Sequence, residues 1–178
     1  RSAERDELTG LPNRMLLMDR LHQAIAHCRR ANSKVAVLFL DLDNFKQVND
    51  GYGHAAGDAV LRQVAASLEA VVREEDTVSR HGGDEFLVLL PEVDSAADAG
   101  LIAGKLLAVL ADPILVGQDA IALAASIGIS VFPDDAGDPA LLIEHADCAM
   151  FEAKRRGGGF AWYGVAQVDG QVAPRAMA

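Results

Sequence analysis

Hydrophobic residues change period several times along the chain, and each change predicts an element. After a turn-rich segment at 6–14, Met15, Met18, Leu21, Ile25 and Cys28 recur at helical spacing, which predicts a helix over about 13–30. Residues 34–40, Lys-Val-Ala-Val-Leu-Phe-Leu, are continuously apolar, β-rich and too short for a two-faced helix, so they predict a central strand. A helical turn follows at 44–50, then a break at Gly51-Tyr52-Gly53-His54, then a helix over 55–73 with Val60, Leu61, Val64, Leu68 and Val71 on its buried face. Residues 77–80 and 85–90 flank Gly82-Gly83 as an antiparallel hairpin, because glycine enters φ > 0 without steric cost. Ile102, Leu106, Leu107 and Leu110 mark the inner face of a helix over 95–111. A short strand at 114–116, a longer alternating one over 120–132 and a loop over 133–139 come next. The last helix covers 140–155, capped by Gly157-Gly158-Gly159, and 160–163 reads as a closing strand. No periodicity is visible over 167–178.

The order α-β-α-β-β-α-β-β-α-β interrupts its βα units with hairpins. That favours an α/β protein of the α+β type over a Rossmann fold, with a mixed, mainly antiparallel central sheet and a ferredoxin-like split-βαβ core surrounded by helices. Such a sheet can bring the end of strand 34–40 beside the Gly82-Gly83 hairpin, which would converge Asp41, Asp43, Asp84 and Glu85. One domain accommodates 178 residues, and a 51% hydrophobic content supplies its core. We place the domain at 1–165 and an irregular tail at 166–178, a linker toward a further domain. Because the chain starts without Met and is in register with a motif by Asp6, it reads as a fragment of a longer protein.

A net charge of −10 and a pI near 4.8 argue against nucleic acid or an anionic membrane as the main partner. A small polyanion remains compatible where a metal and local Lys or Arg offset the acids. Cys28 and Cys148 form no CxxC pattern and read as core thiols in a reducing compartment. No apolar run reaches membrane-span length and 1–14 lacks a signal-peptide core, so a cytoplasmic protein without direct membrane insertion is expected.

Asp84 and Glu85 sit where the glycine turn becomes strand, beside backbone bare enough for a phosphate to approach. Adjacent carboxylates repel each other unless a cation compensates them, which makes this a place for Mg²⁺, with Mn²⁺ as an alternative. Ordinary turn chemistry with solvated acids is the plain alternative. Asp41-Leu42-Asp43 at the carboxyl end of the central strand, with Lys46 five residues after the first Asp, adds a second acidic element. Together they form the kind of site that holds Mg²⁺ on a nucleoside triphosphate. Strand-Asp-x-Asp also suits a phosphoacceptor domain, but the Gly-Gly-Asp-Glu hairpin is foreign to that doubly wound fold.

With both elements in view, the chain resembles the GGDEF-domain diguanylate cyclases. The matching pieces are Asp6-x-Leu8-Thr9-Gly10-Leu11-Pro12-Asn13-Arg14; Asp41-Leu42-Asp43-x-Phe45-Lys46-x-x-Asn49-Asp50-x-x-Gly53-His54-x-x-Gly57-Asp58; Gly82-Gly83-Asp84-Glu85-Phe86; Ser126-Ile127-Gly128-Ile129; and Ala146-Asp147-x-Ala149-x-Phe151-x-Ala153-Lys154. The resemblance implies a nucleotidyl-cyclase-like fold and condensation of two GTP into cyclic di-GMP with release of two pyrophosphates, by a homodimer holding one GTP per subunit. It implies that Asp41, Asp84 and the Leu42 carbonyl ligate Mg²⁺ and that Glu85 supports the second metal position or the acid cluster. Asp84 would also be the base for the 3′-hydroxyl, and Lys46 would neutralise charge growing on the phosphates. Asn49 and Asp58 match the guanine-reading pair, His54 lines the substrate site, Gly82 and Gly83 admit the phosphates, and Lys154 meets the terminal phosphates. Asn49 and Asp50 also fit as turn and capping residues. Arg73-Glu74-Glu75-Asp76 lies where the family carries an RxxD site that binds the product, cyclic di-GMP, as inhibitor; a charged helix end is the plain reading.

Phe45, Phe86 and Phe151 are assigned to packing, and His22, His27 and His145 receive no role. His81 stands where the family often has Tyr. One departure matters: the Arg that usually follows the family's Lys-x-x-Gly is Gly158 here, and Arg155 or Arg156 would have to substitute. If neither does, a GTP-binding regulatory module controlling an attached domain, such as a cyclic di-GMP phosphodiesterase, becomes the alternative to an active cyclase.

Overall fold

The computed structural model describes residues 3–168 and 171–174, with side chains through residue 165. The chain runs α1 (Arg14–Ala31), β1 (Lys34–Asp43), α2 (Phe45–Tyr52), α3 (His54–Val71), β2 (Thr77–Gly82), β3 (Glu85–Val93), α4 (Ala96–Leu110), β4 (Ile114–Val116), β5 (Asp119–Ile121), β6 (Ala124–Phe132), α5 (Pro139–Arg155), β7 (Gly159–Trp162), β8 (Val165–Val168) and β9 (Gln171–Pro174). Five strands form the main sheet in the order β2-β3-β1-β6-β7, antiparallel except for the parallel β6–β7 pair. The mixed, mainly antiparallel sheet with helices on both sides is the architecture the element order predicts.

The unbroken apolar run of β1 follows from its central place. Val35, Val37 and Phe39 point into one core with Leu17, Leu21 and Ile25 of α1 and Leu142, Ile143 and Met150 of α5. Ala36, Leu38, Leu40 and Leu42 point the other way, toward Val60, Val64 and Leu68 of α3 and Leu106 and Leu110 of α4. Successive side chains of a strand face opposite sides, so a strand covered on both must be apolar at every position. Each fully buried Leu or Val contributes roughly 1.5–3 kcal/mol.

Four details differ from the sequence-based expectation. First, β1 runs three residues past Leu40, because Leu42 and Asp43 pair with Ala125 and Ala124 of β6; Asp41 and Asp43 are therefore strand residues. Second, α2 continues through Gly51 and Tyr52, and the chain breaks only at Gly53, whose φ is +90°. Third, the run 120–132 is two strands: Ile121 pairs with β4 in a separate hairpin, whereas Ala124 onward joins the main sheet. A chain cannot serve two sheets without leaving one first, and Ala122-Leu123 is where it leaves. Fourth, part of the tail expected to be irregular is paired, β8 with β9; 175–178 lie outside the described residues.

Two packing assignments are corrected as well. Cys28 is buried, but Cys148 is exposed, and Phe151 is 61% exposed rather than packed. No described helix is long and apolar enough to cross a membrane.

The seat of α5 is set by Gly128 on β6. A Cβ there would lie 1.9 Å from the Ala146 carbonyl oxygen and 2.2 Å from the Met150 nitrogen, so the helix rides on bare strand backbone. Because both obstacles are backbone, Gly128→Ala must push α5 off the sheet. Overpacking of this kind costs about 3 kcal/mol or more in urea unfolding, and a variant as stable as the parent would show that α5 is not so tightly seated.

Candidate functional site

Antiparallel pairing puts the end of β1 between the starts of two strands: Asp41 lies opposite Glu85 of β3 and Ser126 of β6. The Leu42 amide donates to the Asp84 carbonyl at 3.2 Å, which ties the β2–β3 turn to β1. Gly82 pairs with Glu85, so the turn residues are Gly83 and Asp84, one position later than the sequence pattern suggests. His81 is the reason: it is an extra residue bulged between the Arg80–Phe86 and Gly82–Glu85 pairs. Gly82 and Gly83 both take positive φ, +118° and +52°, and a Cβ on either would meet nothing within 4 Å, so the turn is bare on its outer side.

Asp41, Asp43, Asp84 and Glu85 converge as expected, with Lys154 reaching in from α5. Its Nζ donates to Asp41 Oδ2 at 2.5 Å and lies 3.7 Å from Asp43 Oδ1. The Ser126 hydroxyl donates to Asp43 at 3.1 Å. Burial, and then the Asp41 charge, push the Asp84 carboxyl above its ordinary value. Glu85 is raised by burial, then by Asp41, Asp147 and Asp84. Burial would lower the Lys154 ammonium, but its hydrogen bond to Asp41 and the charges of Asp41, Asp43 and Asp84 outweigh that and raise it.

Asp147 is a further acid of this group, unassigned in the sequence reading. Its carboxyl is raised by burial and by Asp41. The signal was its place seven residues before Lys154, two helical turns away on one face of α5.

The donor set fits a divalent cation. Asp41 Oδ1 is buried and has no hydrogen-bond partner, and the surrounding carboxyls are raised by burial and then by one another's charge, which a hard cation would offset. Among the described residues no group of three or more His, Cys, Asp or Glu side chains is assembled that could hold an ion by itself.

The turn is braced from the amino-terminal segment. Arg80 donates to the Gly83 carbonyl through Nε and Nη2 at 3.1 and 2.9 Å, and through Nη1 to Asp6 Oδ1 at 2.9 Å. Thr9 in turn donates to Asp6 through its amide and hydroxyl. Burial raises the Asp6 carboxyl, but the Thr9 and Arg80 contacts prevail and lower it. These two residues carry the first motif's contribution to the site.

Asn49 on α2 and His54 and Asp58 on α3 flank the junction at Gly53; Asn49 is half-buried, the other two exposed. Tyr52 Oη donates to Asp119 Oδ2 at 2.8 Å, linking this junction to the β4–β5 hairpin. Lys46, in the first turn of α2, is exposed and makes no ion pair or hydrogen bond among the described residues, so it stands apart from the acid cluster. Of the two arginines expected to stand in at Gly158, Arg155 Nη2 is held by Glu152 at 2.7 Å, whereas Arg156, whose Nε donates to the Glu152 carbonyl at 3.3 Å, lines a surface pocket with Gly158.

At the opposite end of the β2–β3 hairpin, Arg73 donates through Nε and Nη2 to the two oxygens of buried Asp76, at 3.3 and 3.2 Å, and through Nη2 to the Glu92 carbonyl. Arg73 lines a surface cavity of about 860 Å³ with Arg20, His27, Asp94, Asp98 and Lys105.

The family model for the diguanylate cyclase GGDEF domain matches residues 3–159. The chain is similar to the bifunctional diguanylate cyclase/cyclic di-GMP phosphodiesterase MucR of Pseudomonas aeruginosa, 47% identical over 89% of this chain and 23% of MucR. It is 41% identical to the cyclic di-GMP phosphodiesterase PdeR of Escherichia coli over 88% of this chain and 23% of PdeR. The chain thus spans about a quarter of these relatives. The crystal structure of the GGDEF domain of TpbB (YfiN) from Pseudomonas aeruginosa superposes with a TM-score of 0.85 at 41% identity, over 87% of this chain and 98% of that one.

The bulge leaves a titratable group exposed to acid stress. His81 Nε2 is buried without a partner, and burial, helped by Arg14, lowers its pKa from 6.5 to about 4. The unfolded chain therefore binds a proton that the native one refuses, and native stability falls as pH drops from 6.5 to about 4. In urea unfolding, His81→Phe should remove roughly 2 kcal/mol of that fall, allowing for the ring's partial exposure. Parallel pH profiles for parent and variant would contradict this account of the bulge.

Proposed function

We propose, from the premise that this chain belongs to the GGDEF family of diguanylate cyclase domains, that it condenses two GTP into cyclic di-GMP and two pyrophosphates. The observation that carries the reading is the apposition of Asp41, with its unpartnered buried oxygen, to Asp84 and Glu85 under Lys154.

A divalent ion, Mg²⁺ or Mn²⁺, held by Asp41, Asp84, Glu85 and the Leu42 carbonyl would neutralise the triphosphate and lower the pKa of the attacking hydroxyl. Asn49 and Asp58 bind the base, the carboxylate accepting from guanine N1–H and N2–H where adenine offers the opposite pattern; His54 borders the same site. Gly82 and Gly83 let the phosphates approach the turn. Lys154 transfers from the acids to the terminal phosphates, and exposed Lys46 turns in from α2 to meet charge developing in transfer. Asp84 takes the proton of the 3′-hydroxyl as its oxygen bonds the α-phosphorus of the other GTP and pyrophosphate leaves. Each nucleotide must present its hydroxyl to the other, so two chains face each other as a homodimer.

Arg73 and Asp76 form the inhibitory site for the product. Asp76 holds the guanidinium in a fixed plane at the mouth of the cavity, where it offers donors to a guanine edge or phosphate. One observation favours a second reading, a GTP-binding module that regulates an attached domain: Gly158 brings no side chain to the phosphates and the Glu152 carboxylate pairs with Arg155.

Incubation of the chain at high concentration with GTP and Mg²⁺, with products separated by chromatography, decides between them. Cyclic di-GMP should form, and Asp84→Ala should reduce its rate by at least about 10³-fold. GTP bound but unconverted, even after fusion to a dimerising coiled coil, would establish the regulatory module instead. For the inhibitory site, Arg73→Ala should keep the initial velocity and lose the slowing by accumulated product; unchanged slowing would remove Arg73 from that role.

A further inference from the structure

Gly57 is a glycine inside a helix that does not need one for its backbone. It is the fourth residue of α3, buried, donates its amide to the Gly53 carbonyl at 3.1 Å, and does not take the positive φ that calls for glycine. Glycine is a poorer helix former than alanine, and a buried position on α3 would ordinarily carry an apolar side chain. Something else must hold the space. A Cβ on Gly57 would lie 1.8 Å from Asn49 Oδ1, 3.0 Å from Asn49 Cγ and 3.4 Å from Phe45 Cζ. The nearest obstacles are thus side chains, and the two closest belong to one movable amide.

We infer that Gly57 is a positioning residue for base recognition: its missing side chain is the bed on which the Asn49 amide lies across the first turn of α3, next to Asp58. This deepens the reading of Asn49 and Asp58 as the guanine-binding pair and rests on it. Asn49 comes from α2 and Asp58 from α3, so a reader that uses both needs their relative placement fixed. Contact of the Asn49 side chain with bare α3 backbone fixes it within the helix pair. Phe45, buried on the same side, leaves the amide little room to swing inward. An added methyl would drive the amide out of its bed, away from the setting it shares with Asp58.

The inference predicts opposite signs for stability and binding. Gly57→Ala should unfold in urea at the same or a higher midpoint than the parent, since the helix gains a better residue and only a side chain must move. Its affinity for a non-hydrolysable GTP analogue with Mg²⁺, measured by calorimetry, should fall roughly tenfold, the scale of one lost hydrogen bond to a charged or well-placed group. In an Asn49→Ala background the same change should alter affinity by less than about twofold, because the amide it displaces is gone. Parent-like affinity of Gly57→Ala, an equal loss in both backgrounds, or a lowered unfolding midpoint would each overturn the inference. If Asn49→Ala and Asp58→Ala themselves bind the analogue like the parent, the base-reading assignment fails, and the role of Gly57 with it.

Discussion

Placing the Asp41 carboxylate at the end of a fully buried strand, beside other carboxylates, is the constraint on which the rest of the structure turns. β1 is covered on both faces, so it carries no polar side chain between Lys34 and Asp41, and chemistry begins at its carboxyl end. There Asp41 faces Glu85 on one side and Ser126 on the other, and the backbone of the β2–β3 turn is tied to Leu42. Acids this close are tolerable only with a positive charge among them, and Lys154 supplies it. Lys154 can do so because α5 sits against the bare backbone of Gly128. A glycine in the middle of one strand thereby sets the electrostatics at the end of another.

The fold class and the acid cluster were legible in the sequence because each rests on a local pattern. The double-faced apolar run identifies β1, and hairpins at 77–90 exclude an all-parallel sheet. Features that depend on pairing were not legible. The shift of the turn from Gly82-Gly83 to Gly83-Asp84 follows from the bulge at His81, and nothing in Arg-His-Gly-Gly states which residue is left unpaired. The alternation over 120–132 is continuous even though the chain changes sheets within it.

Surfaces were harder than the core for a related reason. Cys148 and Phe151 lie three residues apart on α5, a spacing that reads as a buried stripe, but the face turned to the sheet is the one carrying Ala146, Ala149, Met150 and Ala153. Alanines leave little periodic signal of their own, although small residues are what close approach to Gly128 requires. Asp147 was missed in the same way: its bearing on Asp41 and Glu85 appears only once α5 has been laid across β6.

The balance of charge also explains how so acidic a chain could serve a polyanionic ligand. Net charge sets the field far from the surface, whereas binding depends on which cations stand at the contact and what already occupies them. Lys154 is occupied by Asp41 and Arg73 by Asp76, each an acid of this chain. The two cases differ in what release costs. Arg73 keeps its partner while still offering N–H groups outward, because a guanidinium has more donors than one carboxylate can accept. Lys154 is a point charge beside an acid whose other oxygen is buried and unpartnered, so moving it toward phosphate leaves Asp41 uncompensated unless another cation takes its place. On the proposed reading, metal and triphosphate therefore favour each other's binding, and the acid cluster works only when both arrive.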